Sequence, residues 1–134
     1  MTKRADSTYK FKVIFNMINP SDGNIVDAIY RKYYKDFVSY DESSPPRSSK
    51  IYVPVDCYQI AKELGMDSEI LFGRLYYHLN KLHGYTQDDG SKVHLFALKT
   101  GKDRHTVNFP LLAAVLAEKN VSFNRYIFPL VLSL

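Results

Sequence analysis

The run from Ile60 to Leu75, Ile-Ala-Lys-Glu-Leu-Gly-Met-Asp-Ser-Glu-Ile-Leu-Phe-Gly-Arg-Leu, constrains the fold more than any other part of the chain. Ile60, Ala61 and Leu64 make the apolar stripe of a short helix. Gly65 supplies a left-handed stop, and Asp67 or Ser68 can cap a second helix two or three residues later. Leu71, Leu75, Leu79 and Leu82 fall on one face of that second helix, which ends at Gly84. Ala61 is small where two helices joined by so short a turn must cross closely, and Met66 fills the apolar slot of the turn. Upstream, Asp56 followed by Gln59 matches a capping box that opens the first of the two helices.

The flanks extend this hairpin of helices into an α+β chain. Tyr9, Phe11, Val13 and Phe15 alternate with polar residues and predict an N-terminal strand. Pro20-Ser21-Asp22-Gly23 is a turn with a cap, and Val26, Ile29, Tyr33 and Phe37 predict a helix over about 23–40. The stretch 41–50, polar and carrying Pro45-Pro46, reads as a flexible loop. Ile51–Val55 is a short strand whose Pro54 marks an edge or an end. Lys92–Leu98 and His105–Phe109 predict two strands joined at Thr100-Gly101-Lys102-Asp103, with another tight turn at Asp88-Asp89-Gly90. Pro110 then opens a helix over Leu111–Lys119. The tail 121–134 is apolar and mixed, and reads as a strand broken near Pro129. At 134 residues the default is one domain, 1–134.

Helix, strand, helix, turn, helix and β-hairpin, in that order, resemble the winged helix-turn-helix superfamily over about residues 23–109. The resemblance implies an α+β winged-helix fold, here with an added N-terminal strand and an added C-terminal helix and strand. It also implies a DNA-binding or transcription-regulatory protein. In DNA-binding members the second helix of the motif enters the major groove and the hairpin, or wing, lies along phosphates. The matching outward positions of the helix are Ser68, Glu69, Phe72, Gly73 and Tyr76. Its candidate contacts are Ser68, Arg74, Tyr76, Tyr77 and Lys81. Glu69 repels phosphate, and Phe72 and Gly73 bring no donor, so this face is poor for base reading. The wing carries Lys99, Lys102, Arg104 and His105 around Gly101, where each cation adds salt-dependent affinity for phosphate. A wing placed instead at Asp88-Asp89-Gly90 has an acidic tip. The alternative function is a winged-helix module for protein–protein contact without DNA binding, which Phe72 and Tyr76 favour.

Charge and composition agree with either reading. The net charge is +4, a mild pull toward anions. The single cysteine, Cys57, excludes an intramolecular disulfide framework and fits a reducing, cytoplasmic setting. A thiol at a helix start can be activated, but is more often a small buried hydrophobe. His78 and His83 are five apart and do not share a helical face. His94 and His105 are expected to face each other across the hairpin, with no carboxylate or cysteine to complete a metal site. No cofactor loop, nucleophile elbow or paired-carboxylate pattern appears, so the expectation is a non-enzyme without cofactor or metal. The two most apolar stretches, 109–117 and 126–134, are short of the roughly 20 residues a membrane span needs. The start of the chain reads as no signal peptide.

Aromatic residues are 11 Tyr and 8 Phe without Trp. Tyr30, Tyr33, Tyr34, Phe37 and Tyr40 follow helical spacing and predict core packing plus a partner interface. The helix Leu111–Lys119 is apolar almost all round and is expected to be buried, within the domain or between two copies as a homodimer.

Overall fold

A computed structural model describes residues 19–119. The strand expected at Tyr9–Phe15 and the one expected in the tail lie outside the described residues. The chain is mixed α+β. Helix α1 (Asp22–Val38) leads to strand β1 (Tyr52–Pro54) and helix α2 (Cys57–Leu64). Helix α3 follows as one continuous rod: an α-helical start (Ser68–Gly73), a π-helical middle (Arg74–Leu79) and a last α turn (Asn80–His83). Four strands come next, β2 (Tyr85–Thr86), β3 (Lys92–Val93), β4 (Phe96–Thr100) and β5 (Asp103–Asn108), and then helix α4 (Phe109–Lys119).

Local sequence sets the helix ends. Ser21 accepts from the Asn24 amide at the start of α1, and Asp56 accepts from the Gln59 amide at the start of α2. Gly65 sits at φ 69° and closes α2. Its amide bonds Lys62 O while that of Met66 bonds Ala61 O, the double closure that a left-handed residue permits. Asp67, rather than Ser68, is the cap of α3, accepting from the amides of Glu69 and Ile70. At the other end of the chain, Asn108 Oδ1 accepts from the Leu111 amide, so β5 passes straight into α4.

The β strands form two antiparallel pieces. β1, β5 and β4 make a three-stranded sheet in the order β1-β5-β4, and β2 pairs only with β3. The single strand expected over Lys92–Leu98 is therefore broken at His94-Leu95. Asn80 explains the break. Its Oδ1 accepts from the amides of both Leu95 and Phe96 at 2.8 and 3.1 Å, so those amides turn toward α3 instead of toward β2. Both expected turns exist. The basic one joins β4 to β5 in the three-stranded sheet, and the acidic one joins β2 to β3.

The core brings the four helices together with the three-stranded sheet. Ile25, Ile29, Ile60, Leu71, Leu75, Leu79, Phe96, Val107 and Leu112 are almost fully buried in one cluster. Leu82 departs from expectation and is 59% exposed. A π-helical turn takes in one residue more than an α turn. A stripe spaced by four, Leu71, Leu75 and Leu79, then runs straight into the core, and Leu82, three residues further, rotates outward.

The aromatic residues of α1 divide similarly. Tyr33 is buried with its hydroxyl on the Asp56 amide at 2.7 Å. Tyr30 and Phe37 stack on Phe109 with ring centroids 5.3 and 4.8 Å apart. These contacts fix α4 against α1. Helix α4 is not buried all round: Phe109, Leu112 and Val115 face the core, while Ala114 and Ala117 are exposed. Its exposed positions are Pro110, Ala114, Ala117, Glu118 and Lys119, which leave little apolar area in water.

The loop 41–50 is not a loose tether. Arg47 donates to Asp36 O and Lys50 O, and its guanidinium lies 4.9 Å from the centre of the Tyr40 ring. Leu75→Ala will lower stability by about 2–5 kcal/mol, the cost of a fully buried large-to-small change. Denaturant unfolding measures it, and the same substitution at exposed Leu82 will cost well under half as much.

Candidate functional site

Two surfaces hold the residues singled out from the sequence. The first is the β4–β5 hairpin. Lys99 and Arg104 stand directly opposite each other across the two strands, and Lys102 occupies the turn between them. All three are exposed, and none makes an ion pair among the described residues. The carboxylate of Asp103 between Lys102 and Arg104 keeps its negative charge and offsets part of theirs, while it accepts from the Ser48 amide at 2.7 Å. Ser48 Oγ in turn accepts from the Lys102 amide. Gly101 at the tip has φ +59°, and a Cβ there would meet the Ser48 Cβ at 2.6 Å. The tip thus needs glycine both for its backbone and for its contact with the loop. Ser48 carried no sequence signal for this role, since its partners lie more than fifty positions away.

His105 leaves the hairpin cluster in which the sequence placed it. Its φ of 52° is the only positive value at a non-glycine residue among those described. L-residues adopt this conformation sparingly. Its ring lies 5.4 Å from that of Phe72, on the side of α3. Nor does it face His94: the register pairs Phe96 with Val107, so His94 falls before the paired part of β4. Among the described residues no group of three or more His, Cys, Asp or Glu comes together in a way that could hold a metal ion.

The second surface is helix α3. Phe72 and Tyr76 do not point outward as expected. They are half-buried, stacked on each other at 5.6 Å, with Phe72 edge-on to Phe96. The open face carries Glu69, Ile70, Tyr77, His78 and Lys81 instead. Ile70 is 53% and Tyr77 71% exposed. Ile70 was missed because an apolar residue in the α-helical start of α3 carries no sequence mark of being left in water. Ser68 is half-buried at the other end of the helix. Tyr76 closes one side of a shallow groove toward the hairpin, with Asn80, His94 and Lys99 along it.

Arg74 is removed from any outward role. Its guanidinium binds the Asp22 carboxylate, the Asn19 side chain and Pro20 O, and its side chain is only 19% exposed. His78 Nε2 joins the same carboxylate at 3.1 Å. The cluster ties the middle of α3 to the first turn of α1. Burial works to raise the Asp22 pKa, but hydrogen bonds from Arg74 and His78 outweigh it and hold the carboxyl below its ordinary 3.8.

Burial also pushes the Cys57 thiol up to about 11, helped by the Asp56 charge, so this thiol is not an activated nucleophile at neutral pH. Among the described residues no helix is long and apolar enough to cross a membrane. Comparison with protein-family models, with curated proteins and with solved structures gives no match to the chain.

The Asp22 cluster has a pH signature. Its folded pKa lies below the unfolded one, so the folded state holds fewer protons there. The stabilisation is complete above about pH 4 and is lost as pH falls through the lowered value. Asp22→Asn will flatten the acid limb of a stability–pH curve measured by thermal unfolding. Arg74→Ala will cost about 2–3 kcal/mol at neutral pH, typical of hydrogen bonds to a charged group.

Proposed function

We propose that this chain is a winged-helix protein that binds duplex DNA mainly through the phosphate backbone. The hairpin β4–β5 serves as its wing, and α2 with α3 as its helix-turn-helix. The observation that carries the reading is the placement of Lys99 opposite Arg104 with Lys102 between them, exposed and without ion-pair partners among the described residues. Three cations within one two-stranded turn favour contact with a nucleic-acid backbone, where each adds salt-dependent affinity. The element order and the strand order β1-β5-β4 support the winged-helix reading. Lys81 and Tyr77, four residues apart and exposed on α3, add a cation and a hydroxyl on the helix of the proposed motif.

Base reading contributes little in this scheme. Arg74 is spent on Asp22, and the open face of α3 offers Glu69 and Ile70 where donors would be needed. A regulatory role in transcription is compatible with such binding only where sequence choice comes from DNA shape or from a partner.

The second reading is a protein-contact module, favoured by Ile70, Tyr77 and Leu82, which expose apolar surface along one helix. A titration against mixed-sequence duplexes at two salt concentrations separates the two. Binding will weaken steeply with salt and differ little between sequences. Replacing Lys102 and Arg104 together by Ala will weaken binding to all duplexes alike, and will lower the salt slope by about two if each meets one phosphate. Absence of binding at low salt selects the protein-contact reading.

A further inference from the structure

A groove of about 880 Å³ lies where α1, the β1–α2 junction, the first turn of α3 and β5 converge. That size is in the range of small-molecule sites, about 300–1,000 Å³. Its walls are Tyr33, Val55, Tyr58 and Phe72. Its polar groups are less ordinary. Asp56 and Glu69 contribute carboxylates, and no Lys or Arg lines it. Asp56 spends one oxygen on the cap of α2, and Glu69 has no side-chain partner among the described residues. His105 also lines the groove, held in its left-handed conformation beside Phe72.

We infer that this groove binds a small organic cation with an apolar, aromatic-sized body. The two carboxylates favour positive charge and repel an anion. The exposed ring of Tyr58 adds the attraction that aromatic rings have for ammonium groups. The apolar body is taken from water by Val55, Pro54 and Phe72. His105 directly follows Arg104, so an occupant lies against the strand that carries the basic hairpin. The inference concerns the groove alone and stands apart from the duplex-binding proposal, because ligand binding is read directly and without DNA.

The test uses the full chain, isotope-labelled, titrated by NMR with 2-phenylethylamine and, separately, with phenylacetate and 2-phenylethanol. The amine is expected to shift the amide signals of Val55, Phe72 and His105 saturably, and phenylacetate to bind at least tenfold more weakly. Glu69→Gln is expected to weaken the amine by about three- to fivefold, in line with a partly exposed charge pair, and to leave 2-phenylethanol unchanged. Glu69 is on the surface, so this substitution leaves the fold intact. Occupancy should also slow alkylation of Cys57, which lines the same groove. Equal affinity for amine and carboxylate, shifts that avoid these residues, or an amine affinity untouched by Glu69→Gln would overturn the inference.

Discussion

The burial of three leucines, Leu71, Leu75 and Leu79, along one line of α3 is the constraint on which the other features of the fold rest. A regular α-helix would wind that stripe slowly round its axis. The π-helical middle keeps it straight, and the same stretch carries Arg74 and His78 on the side of α1, where both reach Asp22. One helix is therefore held twice, by apolar packing along one edge and by a charge cluster along another. The hydrophobic term supplies most of the stability, being proportional to the area removed from water. The charge cluster fixes orientation: Arg74 and Asp22, both largely buried, have no comparable partners if the helix turns.

Much of this was legible from single residues. Gly65, Asp56 and Asp67 act where their chemistry places them, because caps and left-handed stops depend on neighbours three or four positions away. The period of α1 and the pairing of β4 with β5 around Gly101 were likewise local. The failures share a cause. Leu82 was assigned to the core because a π-helical stretch has no signature in an apolar pattern, and Phe72 was assigned outward because its partner Phe96 lies far away in sequence. The break at His94-Leu95 and the docking of Ser48 on the hairpin tip depend on partners far away in sequence. Arg74 looked like a free cation for the same reason, since its acceptors lie at the start of α1.

For the candidate site the division runs along the same line. A basic turn is a local property, and Lys99, Lys102 and Arg104 stand together as their spacing suggests. The character of the α3 surface is not local, because it depends on which face the core takes. Once Phe72 and Tyr76 turn inward, the surface left outside is more apolar than the donor-rich face of a base-reading helix. The molecule therefore carries two kinds of surface on different elements, charge on the hairpin and apolar side chains on the helix.

Asn80 gives the hairpin a property that its own residues do not. One side-chain oxygen at the end of α3 holds two successive amides at the entrance to β4. Strand pairing has a period of two, so a slip of one position would carry Phe96 out of the core and bring Ala97 in its place. It would also part Lys99 from Arg104. With the amides of Leu95, just before the strand, and Phe96, its first residue, pinned to a helix, β4 has no freedom to make that slip. The alignment of charges across the hairpin is thus set by an uncharged amide on another element, at the far end of the strand from the charges themselves.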